Sequence, residues 1–306
     1  MGNTPSEPAG LERDAPLARF TTIRVGGPAD WLVSARTSRE VVGALSWAHA
    51  VGIPVAVVGR GSNLLVSDAG FRGLVLRLTG PALTGISVRG TALWCGGGAS
   101  LPRAVQRAAK HGLEGLEWGA SIPGTAGGAV AMNAGAHRGD LSDVLEWAVV
   151  CGPAGRRRMS PADLEFGYRR SAVGTGEVVT LVAFRLRPGD PDAIAGRLAD
   201  FRGHRRSTQP QGVRTFGSVF TNPPGASAGR LLEEAGCKEF SIGGARFSPV
   251  HANFIEASPE CRAVDVVALM AEGRRRVREA GGPELVPEVR YLDPHAGITA
   301  PPLGPL

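Results

Sequence analysis

From residue 29 onward, apolar and polar positions fall into short blocks whose period switches between that of a strand and that of a helix. ADWLVSA (29–35) reads as a strand, and Ser38 can cap a helix over residues 38–49. IPVAVVG (53–59) is a nearly all-apolar run of the kind buried on both faces. LVLRL (74–78) and residues 86–88 and 92–95 predict the strands that close a first lobe, and 101–111 carry helical spacing. A second lobe follows: LEWAVVCG (145–152), a turn at Gly155 with a hairpin-like return, a short capped helix from Ser160, the strand EVVTLVAFRL (177–186) and a helix over 190–206. The polar, proline-broken run STQPQG (207–212) marks a domain boundary. Beyond it, a helix over 227–235, the strand HANFIEA (251–257), a helix over 262–280 and a strand over 286–292 predict a small βαβαβ-like unit.

The pattern divides the chain into a disordered leader (1–16), lobes at 17–90 and 91–210, a C-terminal domain at 211–293 and a loose tail at 294–306. Composition adds exclusions. The 306 residues are 43% hydrophobic and 20% charged, which suits a soluble globular protein of two or three domains. No apolar run near the start resembles a signal peptide and no later one approaches a membrane span, so a cytoplasmic protein is expected. Cys95, Cys151, Cys237 and Cys261 lie far apart and the histidines show no ligand spacing, so neither a metal site nor a disulfide framework is expected. The net charge of +6 suits nucleic acid or any phosphate- or carboxylate-bearing substrate. The arginine runs 156–158 and 274–276 have no aromatics between them, which favours solvated faces over a nucleic-acid platform.

Two glycine-rich turns carry the candidate chemistry. SIPGTAGGAVAMNAGA (121–136) places Gly124, Gly127, Gly128 and Gly135 among small side chains, with Asn133 as its one strong hydrogen-bonding group. Glycines let backbone N–H groups approach an anion, and a helix beginning near Thr125 would add its positive end. A phosphate cradle and a site of close element packing are both open readings. The dinucleotide pattern G-x-G-x-x-G is absent, so a nicotinamide Rossmann site is not supported. The apolar run at 53–59 ends in Gly59-Arg60-Gly61-Ser62-Asn63, a turn that offers N–H groups and polar side chains to a phosphate or ribose; an ordinary strand-to-helix turn is the alternative.

GRGSNLL (59–65), IPGTAGGAVAMNAGA (122–136) and GSVFTNP (217–223) together resemble the UDP-N-acetylenolpyruvoylglucosamine reductase (UDP-N-acetylmuramate dehydrogenase) family. FGYRRS (166–171), HANFI (251–255) and PEVRYL (287–292) extend the resemblance in the family's order, from about residue 21 to 293. It implies an α+β fold, with a two-lobed FAD-binding domain of the PCMH/vanillyl-alcohol-oxidase type followed by a small α/β substrate-binding domain. It also implies non-covalent FAD reduced by NADPH, then a UDP-sugar enolpyruvyl ether taking a hydride from the flavin and a proton from the protein. Gly59, Arg60, Gly61, Ser62, Asn63 and Leu64, with Ile122, Pro123, Gly124, Gly127, Gly128, Asn133, Ala134 and Gly135, would surround the cofactor.

In the same resemblance Arg169 matches the catalytic arginine, Ser218 the proton donor and Glu288 a third catalytic group. Hydride addition leaves negative charge beside the substrate carboxylate, and a guanidinium stays charged and grips a carboxylate with two bonds. By chemistry alone Arg169 cannot be told from Arg170. A serine hydroxyl is a weak acid, adequate only against a strongly basic carbanion. Its surroundings are not G-x-S-x-G, which argues against a hydrolase. Alternation along 286–292 puts Glu288 and Arg290 on one strand face, with Arg290 and Asn222 as candidate substrate contacts.

The chain departs from the family at Phe216, usually small, at Thr221, usually lysine, and at Ala257, usually asparagine. It is too short between motifs for the tyrosine-bearing insertion and so resembles the shorter subclass. Small-molecule substrates, no nucleic acid or membrane, and a monomer are expected. The rivals are a flavin oxidase of the related fold and a non-enzymatic UDP-sugar or nucleic-acid binder.

Overall fold

The computed structural model describes residues 6–137 and 139–304. The chain falls into two compact units. The first comprises residues up to Arg13, Trp31–Arg60 and Leu74–Arg205; the second comprises Asp14–Asp30, Gly61–Gly73 and the residues from Arg206 on.

The first unit holds a five-stranded antiparallel sheet, in the order Gly155–Met159, Leu145–Gly152, Val178–Arg185, Ala92–Gly96, Ile86–Arg89. The central strand is buried on both faces, as an apolar run with few charges requires. Its core gathers Leu93, Cys95, Val150, Val182 and Phe184 with Leu101 and Val105 of the helix Leu101–Ala109 and Val130 of the helix Ala126–Ala131. On the sheet, Arg89 and Arg158 lie over the rings of Trp94 and Trp147, each 4.4 Å from the ring centroid. Arg157 pairs with Glu177. The aromatics missing from the arginine run in sequence are thus supplied by neighbouring strands.

A second core of this unit packs the helix Ser38–Ala50 beside the parallel strands Val55–Val57 and Phe71–Leu78, in the register Val55↔Leu74. The cap of the helix is Thr37, one residue before the expected Ser38: its side chain accepts from the Glu40 N–H at 3.2 Å. Gly43 of this helix is exposed, and a Cβ there would meet nothing within 4 Å. Gly43→Ala is therefore expected to stabilise the protein by about 0.5–1 kcal/mol, read as a raised denaturation midpoint.

The second unit holds a three-stranded antiparallel sheet (Ser241–Ile242, Ala245–Phe247, Ile255–Ala257) against the helix Ala263–Glu279. Another sheet sets Arg290–Asp293 between the antiparallel Gly297–Thr299 and the parallel Leu64–Val66. Phe220, Phe247, Leu269 and Val289 are fully buried in its core. Arg275 and Arg276 both pair with Glu272 of the same helix and Arg274 with Glu284 beyond its end, so the 274–276 run is paired with nearby acids.

Several expectations change in detail. The leader expected over 1–16 contains the strand Glu12–Pro16, and the tail after 294 contains the strand Gly297–Thr299; residues 1–5 and 305–306 lie outside the described residues. The helix expected from Ser160 is a single turn. Ser160 and Asp163 cap each other and the Leu164 N–H reaches the Ser160 carbonyl, but Glu165 turns left-handed (φ 43°) and ends it. Only Ile255–Ala257 of HANFIEA is strand, because the Phe254 N–H closes a turn onto the His251 carbonyl. The helix expected over 190–206 runs to Thr208, into the boundary segment.

Candidate active site

In the first unit the stretch 121–136 folds as expected into a helix beginning after Thr125, whose hydroxyl accepts from the Gly128 N–H at 3.2 Å. Its positive end is not open, however. The Ala126 and Gly127 N–H groups donate to the Ala99 and Gly97 carbonyls, both at 2.8 Å, and the Ala129 N–H to the Thr125 carbonyl at 2.9 Å. A Cβ on Gly127 would lie 2.9 Å from both the Gly97 and Val179 carbonyl oxygens. Gly127 thus serves close packing, the alternative the sequence left open, and the contribution expected from the helix terminus is corrected accordingly. Gly128 is exposed, and a Cβ on Gly124 would meet only Ile122. A Cβ on Gly59 would lie 2.8 Å from the Thr125 hydroxyl, so the two glycine turns meet with no side chain between them.

Asn133 is buried and left-handed (φ 39°), the conformation asparagine tolerates best after glycine. Its amide donates to the Gly167 carbonyl and accepts from the Ser142 N–H, both at 3.2 Å. Asn133 thereby ties the loop holding Arg169 to the glycine stretch. Gly167 and Arg170 exchange backbone bonds of 3.1 and 3.2 Å, leaving Tyr168 and Arg169 at the tip of a tight turn. Arg169 is half-buried and left-handed (φ 56°), and it donates from Nη2 to the Gly135 carbonyl at 3.0 Å. Arg170 is exposed, so the turn separates two arginines that chemistry alone could not. His137, just after the glycine stretch, stacks on Phe201 with ring centroids 4.1 Å apart.

The segment leading into the stretch is fixed by Glu117, whose side chain is 8% exposed and receives Arg197 at 2.6 Å and the Gly115 N–H at 2.7 Å. Burial alone would raise its carboxyl, but the hydrogen bond from Arg197 and two backbone N–H groups bring it below the usual range. A lowered carboxylate contributes stability that is complete above its unfolded value of about 4.3 and is lost as pH falls through the folded one. Glu117→Gln is therefore expected to lower the melting temperature at neutral pH. Its deficit against the parent should shrink below about pH 4 in thermal melts across pH.

In the second unit the carbonyls of Gly61, Ser62 and Asn63 accept from the N–H groups of Thr22, Gly217 and Arg290 at 3.2, 2.9 and 3.1 Å. In a trans peptide the N–H points opposite to the preceding carbonyl, so the Ser62 and Asn63 N–H groups face away from those partners. Among the described residues no acceptor takes the N–H of Gly61, Ser62 or Asn63. Such a run of backbone donors suits a phosphate. Leu64 is buried in the adjoining strand, and the Asn63 amide donates to the Glu288 carbonyl at 3.2 Å.

The same unit brings Ser218 and Glu288 onto neighbouring segments. The Glu288 N–H donates to the Val219 carbonyl at 2.8 Å, and the Thr221 N–H to the Val286 carbonyl at 2.9 Å. Ser218 and Glu288 are half-buried, Val289 is buried and Arg290 exposed; the strand expected over 286–292 begins only at Arg290, so Glu288 lies before it and the two do not share a strand face. The Asn222 side chain accepts from the Ala228 N–H at 3.0 Å, at the start of the helix Ala228–Glu234. Arg169 belongs to the first unit, Ser218 and Glu288 to the second. Asn253, absent from the expected site, is buried and bonds the backbone of Phe220, two residues after Ser218. Among the described residues no group of three or more His, Cys, Asp or Glu could hold a metal, and no helix is long and apolar enough to cross a membrane.

Residues 29–158 match the family model described as "FAD binding domain", which with the α+β architecture and the backbone-lined turns makes the chain a flavin-binding protein. Residues 209–292 match the model "UDP-N-acetylenolpyruvoylglucosamine reductase, C-terminal domain". The chain is 43% identical to UDP-N-acetylenolpyruvoylglucosamine reductase 2 of Symbiobacterium thermophilum, over 93% of this chain and 92% of that protein. It is 45% identical to the reductase of Anaeromyxobacter dehalogenans strain 2CP-C, over 92% of this chain and 85% of that one. The solved reductase (MurB) of Thermus caldophilus superposes with a TM-score of 0.80 at 39% identity, covering 92% and 98% of the two chains. The chain belongs to the UDP-N-acetylenolpyruvoylglucosamine reductase family.

Proposed function

We propose that the protein reduces UDP-N-acetylglucosamine enolpyruvate to UDP-N-acetylmuramate, a step of peptidoglycan precursor synthesis, with non-covalent FAD and with NADPH as reductant. The observation that carries this reading is the 43% identity to a reductase of that name over 93% of the chain. It is supported by the placement of Ser218 and Glu288 on paired segments. When bound, FAD supplies the hydride that adds to the substrate's double bond. In the first unit Gly59 and residues 122–135 fit such a cofactor through their small side chains, and in the second unit Gly61, Ser62 and Asn63 fit it through their backbone donors.

The Arg169 guanidinium binds the substrate carboxylate and holds the negative charge that develops beside it. The Ser218 hydroxyl donates a proton to the adjacent carbon, and Glu288 hydrogen-bonds the same region and assists protonation. Asn222 and Arg290 hold the sugar or diphosphate. Lobes at 17–90 and 91–210 serve the cofactor and residues 211–293 the substrate. The protein acts as a cytoplasmic monomer on small molecules, without nucleic acid or membrane.

Anaerobic stopped-flow spectroscopy tests the reading. NADPH alone should bleach the flavin, and the enolpyruvyl substrate alone should restore the colour of the reduced protein. A preparation that takes up no FAD, or whose reduced flavin reacts with oxygen but not with the enolpyruvyl ether, would overturn it.

A further inference from the structure

The segment 219–221 is held differently on its two sides. On one side the backbone of 286–289 supplies three bonds: the Glu288 N–H to the Val219 carbonyl at 2.8 Å, the Val289 N–H to the same oxygen at 3.3 Å and the Thr221 N–H to the Val286 carbonyl at 2.9 Å. On the other side, among the described residues, the bonds come from a single residue. Asn253, 3% exposed, accepts from the Phe220 N–H through Oδ1 at 2.9 Å and donates from Nδ2 to the Phe220 carbonyl at 2.8 Å. Its own carbonyl accepts from the Val219 N–H at 2.9 Å. One amide thus reproduces the pair of bonds that a neighbouring strand residue would exchange with Phe220. Asn253 is fixed in turn by the His251–Phe254 turn, where its N–H donates to the His251 Nδ1 at 3.1 Å.

We propose that Asn253 is a positioning residue for Ser218: its amide clamps Phe220 and Val219 and thereby sets the backbone from which the Ser218 hydroxyl is presented. The inference rests on Ser218 acting as the proton donor. Among hydrogen-bonding side chains the clamp demands an amide, because the site needs one acceptor and one donor at a fixed separation and lies out of water. A buried group left without its partner is worth about a tenfold or greater change in an equilibrium.

Asn253→Asp separates positioning from folding. Its carboxyl retains the acceptor facing the Phe220 N–H, but it restores the donor facing the Phe220 carbonyl only when protonated, and burial raises the pH at which it protonates. In stopped flow, NADPH reduction of the flavin should stay within about twofold of the parent. Reoxidation by the enolpyruvyl substrate should fall at least about tenfold at neutral pH and recover as pH is lowered. His251, with Glu233 and Lys238 acting on it, and Glu288 also face this region, so the parent is run over the same pH range and only the ratio is read. Amide exchange at Phe220 in the holoenzyme should show the same acid-restored protection. Reoxidation equal to the parent at every pH overturns the proposal, as does an equal fall of both half-reactions at every pH. Should the parent's reduced flavin fail to react with the enolpyruvyl substrate, the reductase reading itself falls. Exchange at Phe220 then decides the clamp alone, and protection that does not vary with pH overturns it.

Discussion

Ser218→Ala is expected to slow reoxidation of the flavin by the enolpyruvyl substrate by about 10²- to 10⁴-fold, the range a positioned acid contributes, with reduction by NADPH left within about twofold. The contrast arises because the substitution removes one oxygen and disturbs little else. Among the described residues no hydrogen bond depends on the Ser218 hydroxyl, whereas the adjoining residues 219–221 are held through backbone bonds to 286–289 and by Asn253. The variant should therefore fold, bind FAD and accept electrons. A serine is a weak acid, so its removal matters only if the carbon it meets is strongly basic. That condition holds in the second half-reaction and not in the first. Stopped-flow absorbance of each half-reaction, measured separately, is the check. Undiminished turnover, or an equal loss in both halves, would remove Ser218 from its role.

The helices were legible because their signals are local. Residues 101–111, 227–235 and 262–280 carry apolar spacing over consecutive turns and appear as Leu101–Ala109, Ala228–Glu234 and Ala263–Glu279. The one-turn structure at Ser160 shows the limit of that signal: a capping pair nucleates a turn, but propagation needs further residues in helical conformation, and Glu165 leaves it. The parallel pairing of Leu64–Val66 with Arg290–Asp293 joins segments more than two hundred residues apart, and no local pattern announces it.

At the site, the sequence identified which residue types were present but not which backbone groups remained available. The glycine stretch and the turn at 59–63 looked alike as phosphate cradles. Carbonyls of Gly97, Ala99 and Thr125 satisfy the N–H groups of one, while those of Gly61–Asn63 have no acceptor among the described residues. Such an accounting of backbone donors requires the fold. Asn253 was within reach of sequence reasoning. It stands between the apolar Ala252 and Phe254-Ile255, and a polar side chain inside a buried apolar run must be hydrogen-bonded, which is reason enough to ask what it holds.

Gly97→Ala is expected to destabilise the first unit by at least about 3 kcal/mol, the upper range for forcing atoms into a packed interior and a large share of a domain's usual stability. A Cβ there would lie 1.8 Å from the Val179 carbonyl oxygen, a backbone atom within the central strand Val178–Arg185 that no side-chain rotation can move aside. Gly97 also donates to the Thr180 carbonyl at 2.8 Å and accepts from the Gly127 N–H at 2.8 Å, so any shift that relieves the clash strains the sheet and the start of the helix Ala126–Ala131 together. Its backbone is not left-handed, so the requirement for glycine is one of contact alone. Gly90 supplies the complementary case: φ is +58° and a Cβ would meet nothing within 4 Å, so Gly90→Ala should cost only about 1–2 kcal/mol, from conformation. Denaturant midpoints of the two variants give the comparison. If Gly97→Ala proves the milder, the close approach of 97 to 179 is wrong, and with it the account of Gly97 as a packing point between the sheet and the helix Ala126–Ala131.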